Sequence, residues 1–499
     1  MCIRDSPRVH GGFVWEWRDH GLLTTTGNGT PFYAYGGDFG EVIHDGNFIT
    51  DGMILSDGTP SPGLAEYAAV VAPVRLTLTG DADAVLVTND RHTADTTDLT
   101  FRWAVEVDGE TMASDNLDVP PVSAGSTAHI VLPGPVRTAL SRVGGQGSEV
   151  WLRLVAALAR PAAWGPAGHV ISACQVDLTA SRFTWRSPRP AAPPATGSTA
   201  PRQAGGEITL GPARFDARTG RLTRLGGMAV DGPTPELWRA PTDNDRGSGQ
   251  GSLEEASPEE TGGLGVPGPS SAERWTRRGL DRLVHRTHEV QVLDDRLIVR
   301  IRSGAAATSM GIETNLTYLA DGDVLVMRVD IAPRGPWEGT WPRVGVRLGL
   351  PGTLDHARWF GPGPEESYAD VAMAALVAVH ERTIDKLAVR YARPQETGHR
   401  PNVRWLRLSG GEGPNLELQS FNQLGGGQVG RPGFTASRHT AQELAAAAHP
   451  HELPLSERVH LYLDAAQHGI GSRACGPDVL PQHQLWPATH SFAVGLRVR

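Results

Sequence analysis

Apolar and polar residues alternate along most of this chain. Phe101, Trp103, Val105 and Val107 occupy every second position, and Asp108-Gly109 follows as a hairpin turn. Val150 to Val155 and Ile171 to Leu178 are apolar runs of strand length. Leu297, Val299 and Ile301 alternate with Ile298, Arg300 and Arg302. Leu325, Met327, Val329 and Ile331 form one face of a further strand, introduced by an Asp321-Gly322 turn, and Val459, Leu461 and Leu463 repeat the pattern near the end. A period of two places such residues on one side of a pleated strand. The chain is therefore predicted to be mainly β, built of antiparallel sheets. Leu64 to Val74 is a short helical pattern that Pro73 stops.

Composition supports this picture. A chain of 499 residues holds two to four domains, and 39% hydrophobic with 20% charged residues is a globular balance. Sixty Gly and 38 Pro suit many short strands joined by turns. The segment from Ser187 to Gly206, SPRPAAPPATGSTAPRQAGG, reads as a Pro/Ala/Gly linker and the clearest domain boundary. A net charge of −9 with no basic stripe argues against nucleic acid as a partner. The three cysteines, Cys2, Cys174 and Cys475, are too scattered for a disulfide framework or a zinc site. No apolar run reaches the ~20 residues of a membrane span, and a cytoplasmic, reducing setting is expected.

The densest candidate chemistry lies between Gly11 and Gly52. Trp15, Glu16, Trp17 and Asp19 fall within five positions, a glycine-bounded Asp38 follows, and His44, Asp45, Phe48 and Asp51 close the block. Aromatic faces stack on the C–H face of a pyranose and carboxylates accept bonds from its hydroxyls, so the block suits sugar binding. It resembles the end of the catalytic barrel in the large β-galactosidases of glycoside hydrolase family 2. ELWRAPTDNDRG from Glu236, WFGPGPEESYAD from Trp359, RYARPQETGHRPNVRW from Arg390 and GIGSRACGPDVLPQHQL from Gly469 resemble later motifs of that family, in the family's order. WGPAGHVISACQVDL from Trp164 resembles the end of its immunoglobulin-like domain.

The resemblance implies five segments: residues 1–6 as a foreign leader, 7–72 as the remnant of a (β/α)8 TIM barrel, and 73–187 as an immunoglobulin-like β-sandwich. The linker at 188–206 and a large antiparallel supersandwich of the galactose-mutarotase type at 207–499 follow. A truncated gene model and a separately encoded subunit are both compatible with the start at Pro7. The activity implied is retaining hydrolysis of terminal β-D-galactosides such as lactose, with Mg²⁺ and Na⁺, in an oligomer. The alternative is a non-catalytic carbohydrate-binding or small-subunit module.

The resemblance also assigns residues. Both catalytic glutamates of the family precede the block, so no catalytic residue is expected in this chain, and Glu16 and Asp19 are read as structural. Trp15 is expected to wall the sugar site at the end of a buried strand, Phe13-Val14-Trp15, while Trp17 is expected in the core. Asp45 falls with the substrate-binding residues, a plain surface loop being its alternative. The Phe48 carbonyl and the Asp51 carboxylate match Na⁺ ligands, and hard-oxygen ligation suits that ion. His44 stands near a second Mg²⁺ position; imidazole suits Mg²⁺ poorly, and a surface loop is its other reading. Cys475 and Gly476 stand where some members carry an aglycone-stacking tryptophan. A mobile loop is expected after Gly247, and buried turn contacts are expected for Arg239, Asp243 and Asp245.

Overall fold

The computed structural model describes residues 12–499 apart from 80–82, 144–147, 180–198, 248, 255–257, 262, 412 and 425–426. The leader at 1–6 and most of the linker lie outside the described residues. The chain divides into two compact units: one holds residues 63–191 with 376–379, the other residues 14–62, 192–375 and 380–499.

The first unit is a two-sheet sandwich. Strands Val74–Leu78, Ala84–Asn89 and Thr127–Val131 form one sheet, and Glu110–Asn116, Leu99–Val107, Val150–Leu158 and Val170–Asp177 form the other, in that spatial order. Alternation places Phe101, Trp103 and Val105 inside with Leu152 and Leu154, against Val74, Val85 and Val87 of the facing sheet. Asp108 and Gly109 both adopt positive φ, 50° and 87°, which is the backbone of a two-residue hairpin turn whose twist matches its strands.

The second unit is built on an eight-stranded and a nine-stranded antiparallel sheet among the described residues. Its core runs between them. Leu297, Val299, Leu325, Met327, Val329 and Ile331 come from the nine-stranded sheet, and Val346, Leu348, Val459, Leu461 and Leu463 from the eight-stranded one. The turn before Val324 closes at Gly322 and Asp323, one residue later than the Asp-Gly dipeptide suggests, because Asp321 pairs with Val324. Arg202–Ala204, read in the sequence as the end of the linker, instead pairs with Glu207–Leu210 as the edge of the eight-stranded sheet. Its three residues are all exposed, so no alternation marks it in the sequence.

Polar residues also penetrate this unit. Arg343 is buried between Asp464, at 2.9 Å, and Glu396, at 3.4 Å. Burial alone pulls an arginine pKa down, but the two carboxylates more than offset it and hold Arg343 charged.

The barrel-like block belongs to this second unit. Phe13-Val14-Trp15, expected as a buried strand, is not one: Phe13 is 102% and Trp15 93% exposed. Among the described residues it has no neighbouring strand to pair with. Trp17, expected in the core, is 55% exposed for the same reason. The pairing that does form is a parallel bridge between Arg18 and Ile54, with Ile54 N–H donating to Trp17 O at 3.0 Å and Asp19 N–H to Ile54 O at 2.8 Å. Gly52 lets these chains meet, since a Cβ there would lie 2.3 Å from Asp19 N. A hairpin, Leu22–Thr25 with Pro31–Ala34, follows. The helix spans Pro62–Val70, ending before Pro73.

Candidate functional site: a junction of three loops

Loop 35–51 is shaped by its own polar groups. The Asp38 carboxylate accepts from Tyr35 N–H at 2.7 Å, and Glu41 accepts from Gly37 N–H at 2.7 Å. His44 Nδ1 accepts from Gly46 N–H at 3.0 Å, and its ring packs over Gly37. His44 is thus an exposed turn residue whose ring is committed to the backbone, which does not fit a Mg²⁺ ligand. Asp45 is exposed, and its carbonyl accepts from Phe48 N–H at 3.2 Å.

The carboxylates beside the tryptophans form a second layer. Asp19 is buried and accepts from Gly52 N–H at 2.8 Å. Burial pushes its pKa up to about 6, with the Gly52 N–H pulling the other way and the Asp51 charge adding to the rise. Burial and a hydrogen bond shared with Asp51 push Glu16 up to about 7. Glu16 also pairs with His20 at 3.5 Å, and its Oε2 is buried without a hydrogen-bond partner. These contacts fit the structural role read for Glu16 and Asp19. A carboxylate such as Asp51 and a backbone carbonyl such as that of Phe48 have the charge and donor type that a hard monovalent cation needs. They supply only part of a shell: among the described residues, no group of three or more His, Cys, Asp or Glu is arranged to hold a metal.

A short helix, Asp243–Arg246, ties this loop to the sandwich. Thr242 caps it, its hydroxyl accepting from Asp245 N–H while the Asp245 carboxylate accepts from Thr242 N–H. Asp243 Oδ1 accepts from Asn47 Nδ2 and Oδ2 from Gln395 Nε2, both at 2.8 Å. Arg393 donates to Asn47 Oδ1 at 3.2 Å. The next residue reaches the other way. Asn244 Nδ2 donates to Gly471 O at 2.9 Å, and its Oδ1 accepts from Ala474 N–H at 3.1 Å. Under the helix, Arg239 pairs with Asp245 at 2.6 Å and donates to Gly469 O at 2.8 Å, both side chains buried as the turn reading expects.

The C-terminal loop 469–476 is held from two further sides. The Asp370 carboxylate accepts from Ile470 N–H at 2.9 Å and from Gly471 N–H at 2.8 Å. Gly247 and Gly249 pass the loop so closely that a Cβ on Gly249 would lie 2.9 Å from Cys475 Cα. The glycine run expected to be mobile is therefore anchored where it is described: Gly249 N–H donates to Arg473 O at 3.0 Å and Leu253 N–H to Asp478 at 3.0 Å. Cys475 is exposed and free, and Gly476 N–H donates to Ser472 O at 2.6 Å.

A second set of contacts holds the hairpin end of the block. Tyr35 OH donates to Ala448 O at 2.6 Å, and His449 Nε2 meets Asp38 Oδ1 at 2.9 Å. Phe32 packs against His449 and His451 at 4.8 and 4.6 Å between ring centroids. The structure thus brings the Phe48 and Asp51 loop and the Cys475 loop onto one helix, while Trp15 is left almost fully exposed. Asn47, Asn244, Asp370, Arg393 and Gln395 were not singled out by sequence reasoning. Their types are ordinary, and only their partners mark them.

Comparisons with known proteins agree with the motifs. The family "Beta galactosidase small chain" matches residues 211–496, "Beta-galactosidase, domain 4" residues 85–179 and "Glycosyl hydrolases family 2, TIM barrel domain" residues 2–76. The chain is 48% identical over 98% of its length to a protein described as a beta-galactosidase from Arthrobacter sp. (strain B7), covering 47% of it. It is 29% identical over its full length to one from Aeromonas hydrophila, covering 46% of that protein. The chain thus spans about half the length of the curated relatives it matches. A putative aldose 1-epimerase from Escherichia coli superposes on 61% of the chain at 12% identity with a TM-score of 0.28. The ordered motifs, the two sandwiches and these matches place the chain in the β-galactosidases of glycoside hydrolase family 2.

Proposed function

We propose that this chain supplies one wall of the galactoside site in a retaining β-galactosidase, together with the sandwiches that carry that wall. The observation behind this reading is the junction itself: the helix Asp243–Arg246 fixes loop 35–51 through Asn47 and loop 469–476 through Asn244. Trp15 then offers a stacking face and Asp45 a carboxylate. Exposed Cys475 and half-buried Gly476 stand in place of a ring, so the aglycone has less surface to stack on.

Retaining hydrolysis needs two carboxyl groups about 5–5.5 Å apart, one as nucleophile and one as acid/base. Glu16 instead pairs with His20, and Asp19 is spent on Gly52. The chemistry therefore calls for glutamates outside these motifs. A Na⁺ ion in the working enzyme would draw on the Phe48 carbonyl and Asp51, and would relieve the repulsion between Asp51 and Glu16. Mg²⁺ has no support from His44. Lactose as substrate, a cytoplasmic location and a homo-oligomer belong to the same proposal.

The purified 499-residue chain is expected not to turn over a chromogenic β-galactoside. Turnover that Glu16→Gln abolishes would overturn both this reading and the structural role of Glu16. The small-chain match over residues 211–496 also favours a second reading, a small subunit of a two-chain galactosidase. Recovery of activity on mixing with a separately expressed large chain would select it.

A further inference from the structure

The outward face of the nine-stranded sheet carries an unusual group of side chains. Five strands lie side by side there: Val324–Arg334, His490–Val498, Leu416–Phe421, Trp405–Ser409 and His356–Gly363. Their register puts Trp405 opposite Gln419 and Gln419 opposite Gly495. One step along, Arg407 stands opposite Glu417 and Glu417 opposite Arg497. Both rows share a face, because they are two residues apart on every strand. Leu406, Leu408, Leu416 and Leu418 point the other way into the core.

We propose that this face holds a second pyranose-binding site, in the hollow between Trp405, Arg407, Glu417, Gln419, Gly495 and Arg497. The hollow has a volume of ≈ 340 Å³. That is at the small end of the range for ligand pockets, ~300–1,000 Å³, and suits one or two sugar rings. Gly495 makes it: a Cβ there would come within 3.1 Å of both Phe421 and Val324, and any longer side chain would fill the space. Phe421 and Val324 give an apolar floor and Trp405, half-buried, an aromatic wall. The guanidinium carbons of Arg407 and Arg358 lie 5.3 and 5.9 Å from the indole centroid, within reach of hydroxyls on a ring stacked there.

The rim offers both bonding senses. Gln419 Nε2 is spent on Arg404 O at 3.1 Å and Ser420 O at 3.3 Å, so its Oε1 is the end left to accept. Glu417 is shared by Arg407 at 3.3 Å and Arg499 at 3.1 Å, and a carboxylate with about four lone-pair sites can still accept from a sugar hydroxyl. Arg497 donates Nη2 to Asp323 at 2.8 Å, while its Nε is buried without a partner at the wall of the hollow. An aromatic wall beside a carboxylate, an amide oxygen and guanidinium donors complements a pyranose, with one apolar C–H face and a girdle of hydroxyls. A neutral sugar is favoured over an anion because Glu417 occupies the centre of the row. The site shares no residue with the loop junction, so it stands or falls apart from the proposed function.

Titration calorimetry of the full chain with methyl β-D-galactoside tests this. Saturable binding with a Kd of about 1–10 mM is expected. Trp405→Ala and Glu417→Gln should each weaken it by at least about fivefold, and Trp405→Phe should retain most of it. Thermal melts of each variant separate lost binding from lost folding, and Glu417→Gln replaces only a surface group. Absence of saturation with the methyl galactoside, glucoside and mannoside would overturn the proposal. So would unchanged binding in Trp405→Ala, or loss confined to Trp15→Ala, which would put the sugar at the barrel-like block. A change of sedimentation coefficient in Trp405→Ala would also overturn it, by showing that the face is covered by a second copy of the chain.

Discussion

Arg239 lies fully buried with its guanidinium spread over the Asp245 carboxylate and the carbonyls of His468 and Gly469. Arg239→Met would leave Asp245 as an uncompensated buried charge and release the C-terminal loop. A loss of about 3–5 kcal/mol is expected, read from the urea midpoint at constant m-value. Glu16 and Asp19 make a different prediction. Their folded pKa values, about 7 and about 6, lie above the ordinary 4.5 and 3.8. Between those values the folded chain holds protons that the unfolded chain releases. Their contribution is therefore present below about pH 4 and is lost as pH rises through 6 and 7. Glu16→Gln should flatten the fall of Tm between pH 4.5 and 7; an unaltered slope would mean that this carboxyl is not held beside Asp51 in solution.

At the scale of elements, the four-residue helix Asp243–Arg246 could not persist alone. Its capping box and the bonds of Asp243, Asn244 and Asp245 to Asn47, Gln395, Gly471, Ala474 and Arg239 hold it, and through them it holds those loops. Asn47→Ala deletes the bond to Asp243 and strands a carboxylate oxygen. A cost of about 1–2 kcal/mol is expected. Hydrogen exchange should locate the effect: amides of residues 35–48 should exchange faster, while those of the strand Val324–Arg334 stay protected. Equal acceleration in both would show that the loop and the sheet open together.

At the scale of the molecule, the block 14–62 clusters with the C-terminal sandwich although residues 63–191 intervene in sequence. An isolated barrel fragment would be expected to fray from its exposed edges, yet Tyr35, Asp38 and Asn47 each bond to a partner beyond residue 240. A chain nicked once within Ser187–Gly206 should therefore elute as one particle under native conditions, and Tyr35→Phe with His449→Ala should loosen it. Separation of the unmutated fragments on nicking would contradict these contacts.

The sequence by itself determined the strands and their inner faces. Leu297, Val299, Leu325, Met327, Val459 and Leu461 could be assigned to the core because burial on one side of a strand forces a period of two. The family was legible too, in motifs that keep their order. The tertiary structure decided what depends on a neighbour distant in the chain. Trp15 and Trp17 are the same residue type two positions apart in a motif, and whether either is covered depends on what packs over it, not on its own pattern. Asn47 meets Asp243 from 196 positions away and Arg393 from 346, and nothing in a local window records such a bond. Gly247 and Gly249 show the same limit. Glycine permits both looseness and close approach, and only the chain lying against these two, Arg473 to Cys475, settles which it is here.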